Sequence, residues 1–335
     1  MISRSISRRK LLATTAAAGA ALMARPMIAR ADTKEVLIAE PVHGTGYLPL
    51  YIGMAKNLFE DVTVKIVTIE TGAGHTNAVL SGAAFAFIGG PEHCAFAKIK
   101  GAELRAVVNC VDRGNVYFCA AKGQEPANTD WASYFKGKTI ATSGFGGTPN
   151  SITRYLLKKW NLDATKDVTL VETANSAILP AVRNKQAQIG CSTEPFITQG
   201  VRNGSWSEPF INIPKDMVPY AYSTFNVRLD TIQKDPELVR GFVRGMMKSL
   251  KFVHDNHEEA AEIAKGQFPT MALDDLKATL DRSFADEMWS KDGTISPAAW
   301  DTAKAVVMGA GILKVDVKYE EIIDMSFVDG LKASL

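Results

Sequence analysis

Residues 137–162, GKTIATSGFGGTPNSITRYLLKKWNL, and residues 168–196, VTLVETANSAILPAVRNKQAQIGCSTEPF, decide the fold. They hold three β-type runs, 138–143, 168–173 and 188–192, each ending in a polar or glycine-rich turn. The first run turns through Ser143, Gly144, Gly146, Gly147 and Thr148 into a helix. Ile152, Tyr155, Leu156 and Trp160 then recur at i, i+3, i+4 and i+8, one apolar helical face. Asn175 or Ser176 is expected to cap the second helix, and Thr193 the third, ahead of Glu194 and Pro195. Strands alternating with helices predict a parallel sheet, with ligands collecting at the carboxyl ends of its strands.

The preceding half has the same rhythm. Strands are expected at 34–40, 62–70 and 84–88, with helices at 48–58, 75–81 and 92–100. Runs 104–111 and 116–121 read as a strand pair around the turn Asp112-Arg113-Gly114-Asn115. Glu70-Thr71 … Ile88-Gly89 … Glu92 echoes Glu172-Thr173 … Ile189-Gly190 … Glu194, which predicts two similar lobes facing each other. Strand 208–213 would complete the second lobe, and strand 220–228 would return to the first. Crossovers near 122 and 223 would form a hinge, giving lobe 1 as 32–122 plus 224–335 and lobe 2 as 123–223. The remainder reads as packing helices, with Asp235 and Ser296 as caps and Leu238, Phe242, Met246 and Leu250 on one stripe.

Residues 1–31 are read as a twin-arginine export signal: Arg8-Arg9 in SRRKLL, an uncharged run to Ala24, and an Ala29-Arg30-Ala31 cleavage site. The apolar run is too short to span a bilayer, so the mature protein is expected in the periplasm, starting at Asp32. The leader takes six of the 38 lysines and arginines and none of the 36 acids. The mature chain therefore has 32 basic against 36 acidic side chains, net −4, and neither nucleic acid nor an anionic membrane is an expected partner. Cys94, Cys110, Cys119 and Cys191 match no zinc spacing. Cys110 and Cys119 flank the 112–115 turn, so a disulfide and two small buried thiols are both open readings.

Catalytic patterns are thin: there is no G-x-S-x-G, H-E-x-x-H or Walker loop, and no cofactor is expected. The glycines of 143–148 would let a ligand approach backbone N–H groups at a helix start, where the dipole favours negative charge. His43, His75 and His93 each fall in a strand-to-helix turn of the first half. They suit hydrogen bonding to an anion better than metal binding. Glu92 and Glu194 open helices; as ligand contacts they would suit an amine or a pyrimidine. The candidate ligand-binding set is therefore His43, Tyr47, Gly74, His75, Gly90, Glu92, His93, Ser143, Gly144, Gly146, Gly147, Thr148, Asn175, Ser176, Thr193 and Glu194.

The stretches TGAGHTNAVLSG–AAFAFIGGPE (71–92) and the two quoted at the outset resemble the periplasmic substrate-binding proteins for nitrate, sulfonates and taurine. That superfamily also includes pyrimidine-precursor binders and a pyrimidine synthase. The resemblance, over roughly residues 34–312, implies an α/β, two-lobed type II periplasmic-binding-protein fold with βα lobes joined by a two-strand hinge. It also implies a small-molecule ligand, an inner-membrane ABC permease as partner, a monomer, and no catalysis. The alternative is a pyrimidine-precursor binder or synthase on the same fold. The synthase's cysteine-rich cluster is not matched by the scattered cysteines here.

Overall fold

In the computed structural model, residues 34–334 are described, apart from Asp61, Thr71 and Gly72. The leader and its cleavage site lie outside the described residues. Among the described residues, ten strands form two five-stranded sheets: β1 (Lys34–Glu40), β2 (Val62–Thr68), β3 (Ala86–Gly89), β4 (Leu104–Val111), β5 (Tyr117–Ala120), β6 (Thr139–Ser143), β7 (Thr169–Thr173), β8 (Ile189–Ser192), β9 (Ile211–Asn212) and β10 (Ser223–Arg228). The helices are α1 (Leu48–Ala55), α2 (Gly74–Leu80), α3 (Glu92–Lys98), α4 (Trp131–Phe135), α5 (Thr148–Lys159), α6 (Ile178–Arg183), α7 (Phe196–Arg202), α8 (Ile213–Asp216), α9 (Leu229–Lys234), α10 (Pro236–Asp255), α11 (His257–Gln267), α12 (Leu273–Ala285), α13 (Pro297–Gly309) and α14 (Ser326–Leu331).

The first sheet runs β2-β1-β3-β10-β4 and the second β7-β6-β8-β5-β9. In each, three strands are parallel and the fourth is antiparallel to its neighbours: β10 between β3 and β4, β5 between β8 and β9. That fourth strand is always the one arriving from the other half of the chain. The echo seen in the sequence is thus an echo of topology.

The strand pair expected around 112–115 does not form. β5 pairs with β8, Tyr117 opposite Ser192 and Ala120 opposite Ile189, so the turn is a crossing from one sheet to the other. It therefore falls ahead of the crossover expected near 122. The reason is burial: all of β5 is buried, and a strand apolar on both sides needs a sheet interior and not an exposed hairpin. Cys110 and Cys119 consequently lie in different sheets, and all four cysteines are free and buried. The return crossing precedes β10, which starts at Ser223 and not at Tyr220, and the strand expected at 208–213 shrinks to the two residues of β9.

The helical remainder follows its sequence signals. Asp235 Oδ1 accepts from the Leu238 N–H at 3.2 Å and Ser296 Oγ from the Ala299 N–H at 3.1 Å, both as expected of caps. Phe242 on α10 is ringed by Phe59, Phe85 and Phe225, with ring centroids 5.0–5.5 Å away. Gly53 of α1 and Gly245 of α10 both face Phe59; a Cβ at Gly245 would lie 2.2 Å from its ring. These two glycines let the helices close on that aromatic cluster.

Candidate functional site

A cavity of about 60 Å³ lies where the carboxyl ends of β1, β2 and β3 meet those of β6, β7 and β8. One wall is Pro41, Val42, Gly44, Gly46, Tyr47, Glu70, His75, Gly89, Gly90 and His93. The other is Ser143, Gly144, Gly147, Thr148, Pro149, Thr173, Asn175, Thr193 and Glu194. Asn115 from the first crossing, with Tyr222 and Ser223 from the second, completes the lining.

Eleven of the sequence candidates therefore meet in one place. His43, Gly74, Glu92, Gly146 and Ser176 are not in the lining. His43 turns away: its Nδ1 is 2.8 Å from Glu40 Oε1, its Nε2 3.3 Å from the Gln267 carbonyl, and its ring packs on Tyr51 and Phe268. Glu40 is fully buried and also accepts from Tyr51 Oη at 2.6 Å and Thr68 Oγ1 at 2.7 Å. The hydrogen bond to Glu40 holds the His43 imidazole above its ordinary pKa. Gly146 sits at φ +85° with open space around it, so its role is the left-handed turn of the loop.

The glycine loop is pinned from behind. Ser143 Oγ accepts from the Asn150 N–H at 3.1 Å and Asn150 Nδ2 donates to the Ser143 carbonyl at 3.0 Å. Arg154 donates to Asn150 Oδ1 and Glu172 Oε1, and its guanidinium lies 5.2 Å from the Phe145 ring centre. A Cβ at Gly147 would fall 2.7 Å from Ser143 Oγ, so the loop needs glycine there to reach the start of α5.

The caps expected of Asn175, Ser176 and Thr193 are absent. Ser176 Oγ donates instead to Glu70 Oε2 at 2.7 Å, across the rim of the cavity. Asn175 Oδ1 and Thr193 Oγ1 are buried without a partner. So are both ring nitrogens of His75, which stands edge-on to Phe87 and His93. Burial lowers the pKa of both histidines, that of His93 to about 4, so the wall carries neutral imidazoles. Burial pushes the carboxyls of Glu92 and Glu194 up to about 7. Glu194 is bonded to the Thr198 hydroxyl and paired with Arg282 at 3.0 Å. Among the described residues no lysine or arginine lines the cavity.

Glu70 and Thr173 were missed although the echo aligns the strand ends 70–71 and 172–173. Asn115, Tyr222 and Ser223 had no local signal, because their place depends on where the chain crosses. Gly44, Gly46, Gly89, Pro41, Val42 and Pro149 join the wall as neighbours of residues the sequence did point to.

This arrangement is the periplasmic-binding-protein fold. It is shared with the nitrate-binding protein NrtA of Synechocystis PCC 6803 (TM-score 0.75, 14% identity, 91% of this chain and 89% of that one). The alkanesulfonate-binding protein SsuA of Xanthomonas axonopodis pv. citri, solved with MOPS, is similar too (TM-score 0.71, 14% identity, 87% and 98%). A putative binding protein of Bacillus subtilis (strain 168), YtlA, is 22% identical over 308 residues, 88% of this chain and 89% of that protein. The pattern of the NMT1/THI5 like family matches residues 45–260, and the chain belongs to that family.

Proposed function

We propose that this chain is the solute-binding receptor of an ABC importer. In this reading the twin-arginine leader exports it to the periplasm, where it acts as a monomer without cofactor or catalysis. It encloses a small anionic or zwitterionic organic solute and presents it to an inner-membrane permease. The parts of the chain that build each sheet act as lobes, and the crossings at 112–116 and 217–222 act as the hinge.

The observation that carries this reading is the set of buried polar atoms left unpartnered at the cavity: both His75 nitrogens, Asn175 Oδ1 and Thr193 Oγ1. Folded proteins rarely keep such groups unpaired, and each costs about 1–3 kcal/mol. A solute that bonds them recovers that cost. The N-terminus of the twelve-residue α5, reached through the glycine loop, supplies positive potential without a cationic side chain. The nitrate- and alkanesulfonate-binding neighbours agree with an anionic group on the solute.

The test is a thermal shift of the purified protein against nitrate, bicarbonate, alkyl and aryl sulfonates, taurine, aromatic carboxylates and aminopyrimidines. A solute at a hundred times its Kd adds about 2.7 kcal/mol of stability. A rise with a sulfonate, carboxylate or zwitterion is the expected result. A response confined to aminopyrimidines would replace it with the pyrimidine-precursor reading, and silence across the panel would overturn the anionic or zwitterionic assignment.

A further inference from the structure

Among the described residues, one hydrogen bond joins the two walls in the interior of the site. Thr148 Oγ1, at the start of α5 behind β6, donates to Glu92 Oε1, at the start of α3 behind β3, at 2.6 Å. Glu92 is fully buried and Thr148 nearly so. Each residue serves a different sheet, so neither sheet needs this bond for its own folding. The other Glu92 oxygen, Oε2, has no partner and lies against Gly90, where a Cβ would stand 2.0 Å from it. A carboxylate in that position has only neutral donors, the Thr148 hydroxyl and its own backbone N–H, and no counter-ion, so burial outweighs them and favours the uncharged acid.

We propose that Glu92 is a positioning residue of the solute site, holding the cleft shut through Thr148 in a bond made only when the walls meet, and that closure brings a proton onto its carboxyl. The inference rests on the receptor reading, in which the walls part to admit solute. Among the described residues, no charged side chain acts on Glu92. Tyr220 and Tyr222 of the second crossing and Cys94 of α3 sense its charge, and burial raises the pKa of all three. His93 beside it and His75 on the same wall are held neutral by burial. Burial is the largest influence on Glu92 itself, outweighing the Thr148 hydrogen bond, and sets its carboxyl at about 7 in the closed form.

The sign follows. With the walls parted, water returns the carboxyl to its ordinary range; closed, it holds its proton up to about pH 7. Closure is therefore favoured fully in acid and loses that favour as pH rises through about 7, by up to about tenfold per pH unit.

Spin labels on Lys65→Cys in β2 and Lys166→Cys in the turn that leads into β7, both exposed, report the wall separation in the full chain. The native thiols are buried and stay unlabelled. Distances are measured from pH 5 to 8 without added solute. The expected result is a closed-to-open ratio that falls with pH. In Glu92→Gln the slope of its logarithm drops by about one proton, and in Thr148→Val the ratio is lower at every acid pH. Glu194 contributes equally to all three proteins and cancels in the comparison. A Glu92→Gln protein that keeps the full slope would overturn the assignment while leaving hinge closure intact. One unchanging distance in every protein at every pH would overturn hinge closure, and this inference with it.

Discussion

His75 carries two ring nitrogens into a wall of aromatic rings and finds a partner for neither. Two buried nitrogens without partners cost stability that a solute bonded to them recovers. Replacing His75 with Phe keeps the ring and removes the nitrogens. His75→Phe is expected to weaken solute binding tenfold or more by titration calorimetry, with a melting temperature equal to or above that of the parent. Residues of this kind were legible as polar groups at strand ends, but their direction was not. Asn175 and Thr193 sit where caps sit, and only the assembled walls decide that their oxygens turn inward. His43 shows the opposite outcome: Glu40, three residues earlier, draws it out of the cavity and toward α11. Local sequence offers both partners and does not choose between them.

Elements were easier to read where periodicity was long. The twenty-residue α10, with its Asp-Pro start and its stripe of Phe242, Met246 and Leu250, follows directly from spacing and capping. The β4–β5 error has a different origin. Two apolar runs around Asp-Arg-Gly-Asn look like a hairpin, and nothing within them states that β5 will be claimed by β8. Glycines inside helices separate packing from propensity. Gly245→Val drives a side chain into Phe59 and is expected to cost about 1–3 kcal/mol or more, seen as a lower urea midpoint. Gly266→Ala, in α11 with open space around it, is expected to stabilise by up to about 1 kcal/mol in the same measurement.

For the whole molecule, the βα rhythm on both sides of residue 115 was enough to expect two facing halves, and the two sheets have that form. The exact crossing points were not legible, because they are set by pairings between strands about 70 to 140 residues apart. The leader makes a separate prediction: with Arg8 and Arg9 both changed to Lys, precursor should remain in the cytoplasm. Normal periplasmic accumulation of that variant, measured by fractionation, would refute the twin-arginine assignment. The interleaving of the sheets also governs how the protein is made. β10 lies between β3 and β4, yet leaves the ribosome more than a hundred residues after either. Until residue 228 emerges, the nascent first sheet has a gap where its fourth strand belongs, with two unpaired edges flanking it. The amino-terminal half therefore cannot mature as an independent piece, and a chain stalled or cut before β10 is expected to be a client for chaperones and proteases rather than half a receptor.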